Sequence, residues 1–226
     1  MFIHEICIEP TANLGRMSAE AKEDLYGKVK KISEDLKDAG VRVETDYREG
    51  YSPGWKFNDW ELKGIPLRIE FGPKDAEKGI VTTSRRDIDD KDAARGTINV
   101  DDLVQEVPKL LEQIQQDMFD KADKTYREHR IQLTNWDEFV PALNGKNVVL
   151  VPHCEGDKCE DEVKAKSART ALGDGVAEDK QAPAMGAKSL CIPFEQPEGI
   201  EAGKTKCINP DCTTPAKQWI LFGRSY

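Results

Sequence analysis

Residues 53–87 read PGWKFNDWELKGIPLRIEFGPKDAEKGIVTTSRRD, and the punctuation within this stretch decides the architecture. The Pro53-Gly54 turn opens a short helix, WKFNDWELKG, which Gly64 stops. Ile65-Pro66 then introduces the strand LRIEFG, PKDAEKG reads as a turn, and GIVTTSRRD makes a further strand. Upstream, FIHEICIE (Phe2 to Glu9) is β-branched and apolar, which predicts a buried strand. Ser18 then caps an amphipathic helix carrying Leu25, Val29, Ile32 and Leu36 at helical spacing and ended by Gly40. VRVETDY (Val41 to Tyr47) follows as a second strand, so that roughly the first 100 residues have the layout of a mixed α/β sheet.

Downstream of this sheet the pattern turns helical. Leu103, Val107, Leu110, Leu111, Ile114, Met118, Ala122 and Tyr126 recur every three or four residues to about Arg130, with Asp101 or Asp102 as the N-cap and Pro108 as a point of bending. This long helix closes a first domain over residues 1–130. The second domain, residues 131–226, is a small α/β unit. TNWDEFVPALNG predicts a helix, NVVLVPHC a strand and EDEVKAKSAR another helix, while SLCIPF and the terminal KQWILFGRSY are strand-like. Ala171 to Pro183 lacks apolar periodicity and reads as a loop.

Composition limits what such a chain can do. Of 226 residues, 33 are Lys or Arg and 42 Asp or Glu, and the net charge of -9 argues against holding nucleic acid by charge alone. The charge is uneven, however. Ser52 to Asp87 carries seven basic and six acidic residues, a balance of +1 that leaves the rest at -10. Any nucleic-acid contact is expected in this stretch, through selective recognition. A mean hydropathy of -0.64 and the absence of any run of about 18 apolar residues leave no membrane span, and the N-terminus lacks the features of a signal peptide. The expected setting is the reducing cytoplasm, where paired cysteines point to metal and not to cystine.

Two constellations carry chemistry. Cys154-x4-Cys159 and Cys207-x4-Cys212 are equally spaced pairs on turn-rich segments, the pattern of a structural zinc site whose four thiolates leave no open position for water. The alternatives are four ordinary buried thiols, or His153 in place of one ligand. Cys7 and Cys191 lie in apolar strand runs and are expected in the core. The second constellation is the aromatic and charged face of the 55–64 helix. Phe57 and Glu61 lie four apart on one face beside Trp60 and Lys56, and an aromatic plate next to a carboxylate suits an unstacked base. The simpler alternative makes Trp55, Phe57 and Trp60 core residues, with Glu61 merely paired to Lys63 or Arg68. No phosphate-binding glycine loop, HExxH or GxSxG is present, and the three histidines join no nucleophile, so the chain shows no self-contained catalytic site.

Trp55 to Asp75 (WKFNDWELKGIPLRIEFGPKD), Val151 to Asp161 (VPHCEGDKCED), Met185 to Glu195 (MGAKSLCIPFE) and the terminal LFGRSY together resemble the C-terminal portion of the archaeal and eukaryotic type of prolyl-tRNA synthetase, including its fused glutamyl-prolyl form. The resemblance implies an α/β fold, a five-stranded mixed-sheet anticodon-binding domain followed by a zinc-binding C-terminal domain with Cys154, Cys159, Cys207 and Cys212 as ligands. It further implies that residues matching Phe57, Glu61, Arg68, Lys74 and Asp75 read the guanines of the proline anticodon. The partner is proline tRNA, and the activity is that of a proline–tRNA ligase to which this segment contributes binding. ATP and magnesium belong to a class II catalytic domain expected outside this chain, as does the main contact of a homodimer, and the fused form implies a multi-synthetase complex. Tyr226, at the end of a tail that folds toward the active site in the family, is expected to support catalysis. A free-standing, non-catalytic RNA-binding paralogue and a zinc-stabilised interaction domain without RNA are the competing readings.

Overall fold

The computed structural model describes residues 5–11, 17–168 and 186–224. Phe2 to His4, the predicted loop at Ala171 to Pro183 and Tyr226 lie outside them. The chain divides into two compact units, residues 1–121 and 122–226. Among the described residues, no helix is long and apolar enough to cross a membrane.

The first unit runs β1 (Ile6–Pro10), α1 (Ala19–Asp38), β2 (Val43–Thr45), α2 (Pro53–Leu62), β3 (Leu67–Phe71), α3 (Pro73–Lys78), β4 (Ile80–Arg85) and β5 (Arg95–Asn99), with α4 (Leu103–Glu128) reaching into the second unit's residues. The five strands form one mixed sheet in the order β2-β1-β3-β4-β5. β1 pairs parallel with β2 and β3, whereas β3, β4 and β5 pair antiparallel. The expected turn at 73–79 is thus the helix α3, which Pro73 starts and Gly79 ends at a φ of 66°. The strand β5 has no counterpart in the sequence reading: its residues are mostly exposed, so no apolar alternation marks it.

Alternation along the strands gives this sheet two unlike faces. Ile6, Ile8, Leu67, Ile69, Phe71 and Val81 join Leu25, Val29, Ile32 and Leu36 of α1 and Leu103, Val107 and Ile114 of α4 in one apolar core. The residues between them are polar: the register sets Cys7 beside Arg68 and Glu9 beside Glu70, and continues to Ser84 and Arg95. Helix α2 lies over this polar face. Ser18 caps α1 as expected, its hydroxyl accepting from the Ala21 amide at 3.2 Å. Helix α4 is continuous through Pro108, and its expected cap is replaced by a 3-10 turn, Val100–Asp102, where the Asn99 side chain bonds Asp102.

Gly72 joins β3 to α3 where β1 passes close by. A Cβ there would come within 2.5 Å of the Thr11 carbonyl oxygen, next to the bond from the Thr11 amide to the Phe71 carbonyl. Gly72→Ala should therefore cost about 1–3 kcal/mol through forced backbone movement. Gly54→Ala, in the open first turn of α2, should be neutral or slightly stabilising. Chemical denaturation of both variants checks the pair; equal stability of the two would show that the backbone at Thr11 yields freely.

The second unit contains β6 (Arg130–Gln132), α5 (Trp136–Asn144), β7 (Val148–His153), α6 (Asp157–Lys166), β8 (Lys188–Cys191) and β9 (Gln218–Gly223). Its sheet has the order β6-β7-β9-β8, with only β6 and β7 parallel. Val149, Val151, Ile220 and Phe222 face Phe139 and Leu143 of α5 and Val163 of α6, while Leu150, Trp219 and Leu221 pack on the other side. The central strands β7 and β9 are therefore buried on both faces, as their nearly continuous apolar runs require. Cys7 is buried as expected, but Cys191 is exposed: β8 is an edge strand, and its apolar look does not place it in the core.

Candidate nucleic-acid interface and metal centre

Helix α2 starts at Ser52, whose hydroxyl accepts from the Trp55 amide at 3.3 Å, with Pro53 in its first turn. Its inward side chain is not an aromatic ring. Lys56 is buried, and its Nζ donates to the Asp46 carbonyl oxygen at 3.0 Å, lying 3.6 Å from Asp46 Oδ1 and 3.9 Å from Glu9 Oε2. Trp60 Nε1 and Arg48 both donate to the Asp46 carboxylate. Burial opposes ionisation of Asp46, but the bonds from Arg48 and Trp60 and the charge of Lys56 outweigh it and hold this carboxyl well below the usual range. Glu9 has no such donors. Burial, followed by the nearby charge of Asp46, pushes it up to about 8.

The outer side of α2 carries the expected recognition residues. Phe57 and Trp60 are half-buried and Trp55 is exposed, so these rings are not simply core. Arg68, from β3, lays its guanidinium over the Phe57 ring with Cζ 3.8 Å from the centroid. Its Nη1 donates to Glu61 Oε1 at 2.7 Å, and its Nε and Nη2 both donate to Glu70 Oε1. Glu70, two residues along the same strand face, also accepts from Arg95 at 3.1 Å and so fixes the plane of Arg68. Phe57, Glu61 and Arg68 thus form one layer beside a crevice that Trp60, Ser84 and Arg86 also line. Glu61 remains half-exposed, whereas the Arg68 side chain is only 12% exposed and committed to two carboxylates. One face of Phe57 is occupied by the Arg68 guanidinium, which is held there by Glu61 and Glu70.

Lys74 and Asp75 sit on α3. Lys74 is exposed, with no ion-pair partner among the described residues. Asp75 Oδ2 accepts from the Gly72 amide at 2.9 Å, a bond that also starts the helix. Sequence reasoning missed Asp46 and Glu70, and it placed Lys56 beside the recognition face without its burial. Only Glu70 had a signal, its period-two spacing from Arg68.

In the second unit, the end of β7, the first turn of α6 and the 207–212 loop bring the cysteine pairs together. Cys159 Sγ lies 3.6 Å from Cys207 Sγ, and Cys212 Sγ lies 3.6 Å from Cys154 Sγ. Sulfurs held tetrahedrally at about 2.3 Å from one ion would stand about 3.8 Å apart. The donor set therefore fits a metal ion without rearrangement. Cys159 lies inside α6, which begins at Asp157, three residues before the expected start. Glu155 takes a φ of 62°, which turns the chain between Cys154 and that helix.

His153, Cys154, Cys159 and Cys207 also present ligand atoms within 4.8 Å of one another, so this cluster of histidine and cysteines could hold a metal ion. His153 Nδ1 accepts from the Glu155 amide at 3.1 Å, which leaves the proton of the neutral ring on Nε2 and favours Cys212 as the fourth ligand. Burial pushes the Cys159 and Cys207 thiols up, the latter to about 11, so a bound cation is what would draw off their protons. The Asn209 side-chain amide, wholly buried, donates to Cys159 Sγ at 3.3 Å and to Glu162 at 2.7 Å. Its carbonyl oxygen accepts from Lys166.

Comparison with known proteins agrees with this geometry. Residues 8–110 match the family described as anticodon binding domain, and residues 136–226 match prolyl-tRNA synthetase, C-terminal. The chain is 45% identical over 227 aligned positions to the bifunctional glutamate/proline–tRNA ligase of Drosophila melanogaster, covering 99% of this chain and 13% of that protein. It is 44% identical to the cytoplasmic proline–tRNA ligase of Arabidopsis thaliana, covering 90% of this chain and 34% of the relative. The crystal structure of prolyl-tRNA synthetase from Cryptosporidium parvum, complexed with L-proline and AMP, superimposes with a TM-score of 0.81 at 37% identity, covering 99% of this chain and 41% of that one. The chain thus spans well under half the length of these relatives. With a five-stranded anticodon-binding fold followed by the C-terminal fold of the same enzymes, it belongs to the prolyl-tRNA synthetases and corresponds to their anticodon-binding and C-terminal domains.

Proposed function

We propose that the first 130 residues read the anticodon of proline tRNA, and that residues 131–226 form a domain held by one structural zinc ion on Cys154, Cys159, Cys207 and Cys212. In the whole enzyme this recognition serves the ATP-dependent attachment of proline to its tRNA in the cytoplasm. ATP, magnesium and the main contact of a homodimer then belong to the catalytic domain, and the similarity to a bifunctional glutamate/proline–tRNA ligase suits membership of a multi-synthetase assembly. Zinc bound by four thiolates leaves no position for substrate, so it supplies folding energy and not chemistry.

One observation carries the RNA reading: the Phe57, Arg68 and Glu61 layer ends on a half-exposed carboxylate. Every proline codon begins CC, so every proline anticodon ends in two guanines. Guanine alone among the bases offers two adjacent donors, N1–H and the exocyclic amine, on its Watson–Crick edge. A carboxylate accepts both at once. Arg68 already donates to Glu61 Oε1, which leaves that oxygen's second lone pair and the partner oxygen to accept from a base. Exposed Lys74 steers phosphate, and Asp75 lies where a second base can reach it.

Glu61→Gln tests this assignment with little change of shape. Arg68 will draw the amide oxygen to itself, which turns the amide nitrogen, a donor, toward the guanine donors. Binding should weaken by about 5- to 150-fold for proline tRNA and much less for a transcript with its anticodon guanines replaced. Lys74→Ala should weaken both RNAs alike. A guanine preference that survives Glu61→Gln undiminished removes Glu61 from the reading.

A further inference from the structure

Tyr51 and Trp55 stack on one another with ring centroids 4.1 Å apart and 21° between their planes, yet they are 50% and 45% exposed. Two stacked rings left half in water forgo burial that would stabilise them. They are also held in place. The Arg48 guanidinium lies 5.7 Å from the Tyr51 centroid, 5.2 Å from Trp55 and 5.6 Å from Trp60. Arg48 is itself fixed by Asp46, at 2.6 to 3.1 Å, and by Asp59 at 2.7 Å.

The geometry points to a second nucleobase site on α2, in which Tyr51, Trp55 and Arg48 form a preassembled stacking layer for one unpaired base of the same RNA loop that Glu61 reads. This rests on the anticodon reading above and adds a nucleotide to it. The occupant follows from continuity: Trp60, under Arg48, also lines the crevice shared by Phe57, Glu61 and Arg68, so one strand passing that crevice meets the aromatic pair next. The patch is two rings wide, far below the area a stable protein interface requires. Because the charge of Arg48 is committed to two carboxylates, the layer offers a base its π-face and cation, without a fixed pattern for its edge. It is therefore tolerant of sequence, whereas the Glu61 site is not. Its rigidity removes the ordering cost that two free aromatic side chains would incur on binding.

The test uses the 226-residue protein and proline anticodon stem-loops carrying one abasic nucleotide at each loop position in turn. Trp55→Ala should weaken binding of the intact loop by about 5- to 150-fold, equally with the anticodon guanines present or replaced, and Trp55→Phe should restore most of it. The loss should vanish on one abasic loop, at a position other than the two guanines. Tyr51→Ala, which removes the smaller of the two rings, should repeat the pattern with a smaller loss. Unchanged binding by both alanine variants overturns the inference, leaving the rings to some other partner, and so does a loss of equal size on every abasic loop. With Glu61→Gln in the same series the two readings separate. Lost guanine preference in that variant beside unchanged binding in Trp55→Ala removes only the stacking site, whereas a wild-type protein that binds no stem-loop removes both.

Discussion

Cys207→Ser is expected to melt the second unit at a much lower temperature while leaving the first folded. The 200–217 segment has little regular structure to hold it. Beyond the cysteines, it is tied to the rest of the unit by bonds from the Ile208 amide to Pro152 and the Lys217 amide to His153, and by the Asn209 side chain with Glu162 and Lys166. Cys154, Cys159 and Cys207 are themselves core members beside Val151, Ile220 and Phe222, so losing the ion disturbs the packing under β7 and β9. Apparent binding energies of structural zinc run to about 10 kcal/mol and more, which is comparable to the whole stability of a domain. Elemental analysis should give one zinc per wild-type chain and less than that for the variant. A strong chelator should reproduce the low-temperature transition in the wild type, and Cys191→Ser, at the exposed edge strand, should change nothing. Wild-type protein free of zinc, with Cys207→Ser melting at the same temperature, would return these residues to ordinary buried thiols.

The parts of the fold that were legible in the sequence are those where local chemistry and burial agree. The Ser18 cap and the Leu25 to Leu36 stripe define α1 without reference to anything else, and the two x4 cysteine pairs announce a cluster that could hold a metal ion because ligand spacing is itself local. The missed elements lack such agreement. The β5 segment RGTIN is placed by pairing with β4 while its own side chains stay in water, and β6 is three residues long. Lys56 is the sharper case. Composition assigns a lysine between two aromatic residues to solvent and the rings to the core, and the structure reverses both. The reversal depends on Asp46 and Glu9, which come from other strands, so no window around α2 contains the information. Asn209 beside Cys159 is similar, since a buried amide earns its place only when the distant thiol is present.

Lys56→Met should destabilise the first unit by about 3–5 kcal/mol, because a methionine fills the volume but leaves carboxylates facing it without their ammonium partner. The expected loss falls unevenly. Asp46 keeps the bonds from Trp60 and Arg48, whereas Glu9 keeps only the charges of Arg68 and Arg48, its Oε1 being buried without a hydrogen-bond partner even in the wild type. The pH dependence identifies which carboxyl is responsible. Folding raises the Glu9 pKa from an ordinary 4.5 to about 8, so its protonated form favours the native state. That contribution is whole below about pH 4.5 and is lost as pH rises through about 8, at about 1.4 kcal/mol for each unit of separation between folded and unfolded values. Removing Lys56, which holds the Glu9 pKa down, extends the decline to higher pH. The two profiles should therefore fall together up to about pH 8, and the deficit of Lys56→Met relative to wild type should widen only above it. Glu9→Gln in the same background should flatten the profile and recover most of the stability, since it leaves no lone carboxylate to ionise. Denaturant unfolding of the three proteins from about pH 6 to about pH 10 measures all of this. Should Lys56→Met lose less than about 1 kcal/mol and run parallel to wild type, the lysine must reach water and the ion network under α2 is not what holds that helix on the sheet.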